Sequence, residues 1–406
     1  MPESPPELLV FLGLDLVGRL TLASYGSHTV DQIDFSFEPS YAQNLPRPIL
    51  GQYFEDDLTR IYGNRMRAPP FFANLLPEGI LRTLIAKRAG VSPERDFFLL
   101  EYLGEDLPGA VVIRPASPLQ APASVKAEEP SQTKAPLLKF SLAGVQLKFS
   151  MIRDGRSLTL PASGRGGDWL VKLPDSRNEF VPENEHSMML WARTIGLDVP
   201  ETHLVSPSDV VGLPAEIGTM KGNAFAVRRF DRPTPGARTH IEDFAQVMGF
   251  YAADKYENAN YETVGNILFR LGGTADLLEY IARLVFIVAI GNGDAHLKNW
   301  SLIYPDRTRA RLAPAYDLVS TIQYIEGDAL GLNLAGSKRF EDVSLASFEK
   351  LARRLKVDPA QVISRVRSTV EAILDSWSKL RPELPIPETF KTRIDQHLKR
   401  VPLFNR

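Results

Sequence analysis

The chain has 406 residues, of which 44% are hydrophobic and 24% charged, enough for two or three globular domains with buried cores. A formal net charge of −2 does not suit a protein that coats nucleic acid unaided, so any DNA contact needs a local patch or a partner. The absence of cysteine excludes disulfides, thiolate nucleophiles and Cys-ligated zinc.

The opening MPESPPELLVFLGLDL carries acids and prolines where a secretory signal carries basic residues, so no export signal is expected. Residues 1–114 form a first unit that mixes strand-like alternation with helical patterns. LLVFLGLDLVGRLTLASYG reads as strand, turn and strand, and PPFFANLLPEGILRTLIAKRAGV as a helix entry followed by an amphipathic helix ended by Gly90. Residues 115–136, PASPLQAPASVKAEEPSQTKAP, are rich in Pro, Ala, Ser and charge and read as a flexible linker. A second unit, 137–232, opens with a Gly-containing strand region from Leu138 to Leu173. It continues with a helix over Glu183–Ile195 ended by Gly196, and closes on the short buried strand of AFAVRRFDR. A third unit, 233–406, is mostly helical, broken by a hairpin in WSLIYPDRTRARLAPAYD with Pro305-Asp306 at its turn. Three helices end it: one capped near Ser344, one begun by Asp358-Pro359, and one from about Glu388 to Val401. The longest apolar run, LVFIVAI (Leu284–Ile290), is far below the ~18 residues that suggest a membrane span. The expectation is therefore a soluble, cytoplasmic protein with no membrane partner.

The stretch GNGDAHLKNWSLIY (Gly291–Tyr304) carries the chemistry. The helix before it, Asp276–Ile290, is apolar nearly all round and should lie at the centre of its domain, holding the following loop rigidly. Asp294 and Asn299 stand five residues apart, and Asp317 follows beyond the hairpin. Phosphoryl transfer needs these parts: a carboxylate to take or orient the proton of the attacking hydroxyl, and a carboxylate with an amide oxygen to hold magnesium. Protein kinases use the same spacing. Asp294 would be the base, Asn299 and Asp317 the metal ligands. The plainer reading is that Asp294 and Asn299 only cap the turn that follows; Asp317 at hairpin distance weighs towards catalysis.

A nucleotide also needs a phosphate cover and a cation. FSLAGVQLKFS (Phe140–Ser150) reads as a turn able to face phosphate with its backbone N–H groups, although it matches neither common glycine-rich motif. DWLVKLP places Lys172 among apolar strand residues. Either it points inward towards a phosphate or a carboxylate such as Glu185, or it sits on an edge strand and points to water. Spacing alone favours the edge strand.

At this point a resemblance covers nearly the whole chain. SLAGVQLKF, NEHSMMLWARTIGLDVPET, AVRRFDR, HIEDFAQVMG, GDAHLKN and PAYDLVST resemble, in order, the kinase core of the HipA family of bacterial serine/threonine kinase toxins. PPFFANLLPEGILR and AGVSPERDFFLLEYLGEDLPGAVVI resemble that family's small N-terminal domain. The resemblance implies an α+β, bilobal, protein-kinase-like fold with a small N-terminal α/β subdomain and an all-helical C-terminal lobe. It implies ATP and Mg²⁺ as cofactors, Asp294 as catalytic base, and Asn299 and Asp317 as magnesium ligands. It further assigns phosphate contact to Lys172, the nucleotide-covering loop to Ala143, Gly144, Val145, Gln146, Leu147 and Lys148, and the adenine-side connection between lobes to Arg228, Arg229 and Phe230. His296 and Lys298 would face the nucleotide, Tyr316 would flank the metal site, and Ser141 would be the autophosphorylated serine. Phosphate there adds roughly −1.5 to −2 charges where ATP phosphates must sit, which should eject the loop. The implied partners are a small helix-turn-helix antitoxin, operator DNA mainly through that antitoxin, and a translation-related protein substrate such as an aminoacyl-tRNA synthetase. Val145 and Leu147 are bulkier and more apolar than the family's usual residues, and the long Pro-rich linker suggests loose coupling between the N-terminal domain and the core.

Two other readings exist. A catalytically weak kinase-fold scaffold would bind the antitoxin and strengthen operon repression. A metal phosphohydrolase built on GDAH would gather several histidines and carboxylates around two metals, but only His296 is nearby. The remaining histidines, His28, His186, His203, His240 and His397, show no metal-ligand spacing, and the basic groups near Arg353 and Lys399 read as solvated helix faces.

Overall fold

The structure is a computed structural model that describes residues 5–25, 30–117, 147–155, 157–159, 167–174, 177–213 and 221–405. The linker from residue 118 on, and Ser141, Ala143, Gly144, Val145 and Gln146, lie outside the described residues.

Alternation builds the first sheet. In β1 (Glu7–Leu12) every second side chain, Leu8, Val10 and Leu12, is buried, the period-two pattern of a strand covered on one face. β1 pairs with β2 (Asp15–Tyr25), β2 with β3 (Val30–Phe37) and β3 with β4 (Tyr62–Arg65). β5 (Val111–Pro115) closes the other edge, for the order β4-β3-β2-β1-β5. Between β3 and β5 run α1 (Pro39–Gln43), α2 (Pro70–Ala73), α3 (Gly79–Ala89) and α4 (Asp96–Leu103). Phe35, Phe54, Phe71 and Phe72, all fully buried, fill the space beneath the sheet. Gly90 ends α3 at φ 68°, the left-handed position expected of it.

The second sheet has the order β10-β7-β6-β8-β11-β9. Its strands are β6 (Lys148–Asp154), β7 (Ser157–Thr159), β8 (Trp169–Lys172), β9 (Thr202–Val205), β10 (Val210–Val211) and β11 (Ala224–Arg228), with α5 (Val181–Thr194) between β8 and β9. β8 lies inside the sheet between β6 and β11, so the edge-strand reading of Lys172 is corrected. Pairing between distant segments, not local composition, decides which strand is central.

The third part is helical. It contains α6 (Phe244–Met248), α7 (Tyr261–Ile290), α8 (Leu345–Leu355), α9 (Pro359–Leu380) and α10 (Glu388–Arg400). α7 runs further back than the expected Asp276 start, across a break at Gly273 whose φ of 75° and ψ of −164° are not helical. Its second half is buried on nearly every side, among α8, α9 and α10. Asp358 caps α9 by accepting the Ala360 N–H at 2.9 Å, as its sequence suggested. The expected hairpin is β13 (Ser301–Tyr304) with β14 (Arg311–Leu312), and β12 (His240–Asp243) adds a third strand. β12 is the strand that the reading of this lobe did not include: at four residues it is too short to show a period of its own.

Coupling of the N-terminal domain to the core is close rather than loose, because it does not depend on the linker. The Asp231 carboxylate accepts the Gly109 N–H at 2.9 Å, and Arg232 donates to the Gly109 and Leu107 carbonyls, both at 2.9 Å. Arg238 reaches the same turn, at 2.9 Å to Gly109 O and 2.6 Å to Leu107 O. Elsewhere Glu242 accepts the Gln52 N–H at 3.1 Å, Gln246 donates to Phe71 O at 3.0 Å, and Asn74 donates to Phe250 O at 2.8 Å.

Candidate active site

The two glycines that end α7 are explained by space. Gly291 takes φ 61°, and a Cβ there would meet Ile322 at 2.7 Å. A Cβ on Gly293 would stand 2.3 Å from Asp328 Oδ1 and 2.4 Å from Ala329 O, so the chain turns against this neighbour only as glycine. Between them Asn292 stitches the loop: its Oδ1 accepts the Asp294 N–H at 2.9 Å and its Nδ2 donates to Asp317 O at 3.3 Å. Tyr261, from the start of α7, donates to Ala295 O at 3.0 Å.

On this frame the loop presents its polar groups to one large cleft of about 1830 Å³ that also borders the N-terminal domain. Asn299 Nδ2 donates to Asp317 Oδ2 at 3.3 Å, while its Oδ1 accepts the His296 N–H at 3.2 Å. Asp317 sits at φ 54°, a left-handed conformation that costs about 1–2 kcal/mol for a side-chain-bearing residue and that aspartate tolerates best. Lys172 leaves β8 towards the same point. It donates to Glu185 Oε1 of α5 at 2.7 Å and pairs with Asp317 Oδ1. Burial depresses the Lys172 ammonium pKa, and the Glu185 charge works against that shift. Across the sheet, Lys148 of β6 is the register partner of Lys172, so two lysines stand directly opposite each other. Lys148 makes no ion pair with a carboxylate among the described residues; burial at the cleft wall and Lys298 depress its ammonium pKa, while Glu78, Glu185 and Asp243 attract the charge through space.

Asp294 is half-buried, and burial raises its carboxyl above the ordinary range. Tyr256 donates its hydroxyl to Asp294 Oδ1. His296 is 7% exposed and its Nδ1 has no hydrogen-bond partner among the described residues. Burial, with Lys255 adding to it, pushes the imidazole down to about 2, so it is neutral. Its ring meets Tyr256 edge-on at 4.9 Å. Lys298 lines the cleft with its ammonium held by Asn74 Oδ1 at 2.8 Å and Asp243 at 3.1 Å, with Glu78 at 3.7 Å. Tyr316 donates to Lys298 O at 2.8 Å and meets the ring of Phe230 at a tilt, with centroids 5.8 Å apart.

The other expected residues divide. Arg228 is exposed at the cleft wall. Arg229 is occupied by structure: it bonds Asp231 at 2.8 and 3.0 Å and donates to Ser150 Oγ at 2.8 Å. Leu147 borders the strand entry, its carbonyl accepting the Leu173 N–H at 2.9 Å. Sequence reasoning missed Tyr256, Lys255, Asp328 and the N-terminal Asn74 and Glu78, all of which line the cleft. Only Gly293 hinted at Asp328; the others are brought in by the fold.

Comparison with known proteins decides the family. The model of the HipA-like C-terminal domain matches residues 140–377, and that of the HipA N-terminal domain matches residues 8–114. The chain belongs to the HipA family. Within it, the Sinorhizobium fredii protein Y4dM, a provisionally named kinase, is 46% identical over 378 residues, 91% of this chain and 92% of that one. The serine/threonine-protein kinase toxin HipA of Shewanella oneidensis is 28% identical over 320 residues, 70% of this chain and 69% of its own. The solved complex of Shewanella oneidensis HipA and HipB with operator DNA contains a chain that superposes with a TM-score of 0.70 at 22% identity, over 97% of this chain and 95% of that one. The HipA fold is thus shared over the full length. Among the described residues no helix is long and apolar enough to cross a membrane.

Proposed function

We propose that this HipA-family chain is an ATP- and Mg²⁺-dependent protein serine/threonine kinase, the toxin of a toxin–antitoxin pair. The observation that carries the reading is the pair Lys148 and Lys172, register partners on adjacent strands beside Asp317, Asn299 and Asp294 in one cleft. Like charges directly opposite in a sheet are unfavourable, and a polyanion between them reverses the sign. Asp317 and Asn299 carry carboxylate and amide oxygens, the donor set that magnesium prefers while keeping waters of its own, and holding it would turn the Asn299 amide, whose nitrogen faces Asp317 here. Magnesium, when bound, supplies charge neutralisation on the phosphates. Asp294 makes no ion pair with either lysine among the described residues, though Lys172 acts on it through space, and it is the base. The acceptor hydroxyl gives its proton to Asp294, its oxygen bonds the γ-phosphorus, and the bond to the β–γ bridging oxygen breaks to release ADP.

The cleft exceeds the ~300–1,000 Å³ of ordinary small-molecule sites, leaving room for a protein segment beside the nucleotide. The solved HipA–HipB–operator complex supports a helix-turn-helix antitoxin partner, with operator DNA reached mainly through it. A translation-related substrate such as an aminoacyl-tRNA synthetase, self-phosphorylation at Ser141 and a cytoplasmic setting follow from the family resemblance of the sequence alone. The test is transfer of labelled phosphate from ATP to the chain itself, with the modified residue located by mass spectrometry and Asp294→Ala as control. Incorporation at Ser141 that the control lacks supports the kinase. No incorporation by the unmodified chain leaves an antitoxin-binding scaffold in its place.

A further inference from the structure

The hydrogen bond from Tyr256 to Asp294 is not part of the kinase motif, and its geometry has a consequence for the base. Tyr256 stands in the turn after residues 252–254, far from the catalytic loop in sequence. That turn is fixed to the loop at two further points: the Leu297 N–H donates to Lys255 O at 3.2 Å, and the Tyr256 ring packs edge-on against His296 at 4.9 Å. Lys338 closes the turn from outside, donating to Tyr256 O at 3.4 Å. Asp294 Oδ2 accepts no hydrogen bond from the described residues, whereas Oδ1 is taken by Tyr256.

We infer that Tyr256 is the positioning residue of the phosphotransfer, fixing one oxygen of the Asp294 carboxylate so that the other is presented to the acceptor hydroxyl. This rests on the kinase reading above. A carboxylate on a short side chain rotates about its last bond, and only a donor on one oxygen selects a rotation. His296 makes no hydrogen bond to the Asp294 carboxylate among the described residues; its ring packs edge-on against Tyr256 instead. Lys255 faces Asp294 as well, with Glu78 at 3.4 Å, and Lys172, Glu78 and Asp328 complete the charges around it. These act through space on the carboxylate; among the described residues Tyr256 alone is bonded to it. Burial and the adjacent carboxylate push the Tyr256 hydroxyl above its ordinary range, so it remains a donor throughout the working pH.

The test is Tyr256→Phe, which keeps the ring against His296 and removes only the hydroxyl. In labelled-ATP self-phosphorylation the maximal rate should fall about 10- to 100-fold, while the ATP concentration giving half the maximal rate stays within about twofold. The acid limb of the pH–rate profile should move to higher pH, because the charged carboxylate has lost a donor. Tyr256→Leu, which also removes the ring, should fall further. Titration of the Asp294 carboxyl by ¹³C NMR reads the same bond without turnover, and should give a higher pKa in Tyr256→Phe. A wild type that transfers no phosphate overturns the kinase reading, and the NMR titration still decides the contact. An active Tyr256→Phe with unchanged rate and pH profile, or an unchanged carboxyl pKa, overturns the role of Tyr256.

Discussion

The seam between the N-terminal domain and the core and the lysine-lined cleft handle charge differently. At the seam, opposite charges are matched: Asp231 lies 2.8 Å from Arg229 and 2.7 Å from Arg232, and Arg232 also meets Asp106 at 3.1 Å. Despite its burial, the Asp231 carboxyl is held below its ordinary range by the two guanidiniums. In the cleft Lys172 also has carboxylate partners, Glu185 and Asp317, but its register partner across the sheet is a second lysine, Lys148. Matched buried charge makes structure, and facing like charge asks for a ligand. One seam carboxylate departs from its own side of this comparison. Glu242 is fully buried with no cation beside it among the described residues, bonded instead to the Gln52 N–H and the Tyr304 hydroxyl, and burial pushes it up to about 8.

Breaking the matched side should have the largest effect. Asp231→Ala leaves Arg229 and Arg232 buried without their shared partner, which should cost about 3–5 kcal/mol of unfolding free energy in chemical denaturation. A cost below 1 kcal/mol would mean that the seam cations are not held by this carboxylate.

Glu242 sharpens the comparison through pH. Its folded pKa lies above the unfolded value, so the folded chain binds a proton that the unfolded chain releases between the ordinary 4.5 and about 8. The stability that this proton brings is complete below pH 4.5, declines across that window, and is gone above about 8. Its slope is at most about 1.4 kcal/mol per pH unit. Glu242→Gln should flatten unfolding free energy against pH over this window, while Asp231, with its depressed pKa, contributes the reverse: stability present above its unfolded value and lost on acidification. An unchanged slope would remove Glu242 from the account.

The smallest effect is the most telling for function. Lys148→Ala relieves the repulsion across β6 and β8, and should raise stability by about 0.2–1 kcal/mol while weakening ATP binding measured by calorimetry. Lower stability with unchanged ATP affinity would place Lys148 among the structural charges.

Much of this site could be read from the sequence because its spacing is local. Asp294 and Asn299 share one short loop, Asp317 follows a hairpin whose turn is marked by Pro305-Asp306, and the apolar α7 showed that the loop leaves a buried helix. Spacing alone put Lys172 on an edge strand because its place in the middle of a sheet depends on β6 and β11, which local composition does not reveal; only the family resemblance turned it towards phosphate. Tyr256, Asn74 and Glu78 left no local signal, since they meet the loop only when the fold assembles, with Asn74 coming from the N-terminal domain 224 residues away from Lys298. The linker misled about coupling for the same reason. Gly109, at φ 69° and with space for a Cβ only 2.8 Å from the Ile241 nitrogen, docks the domain through a turn whose purpose no alternation or motif announces.

The most direct measurement compares phosphate transfer from labelled MgATP by the unmodified chain with transfer by Asp294→Ala, Asn299→Ala and Asp317→Ala. General-base removal should cost about 10²–10⁴-fold, and loss of either oxygen donor to magnesium should be as severe, with thermal melting unchanged within a few degrees. Wild-type turnover in any of the three would contradict a single catalytic centre made of these side chains.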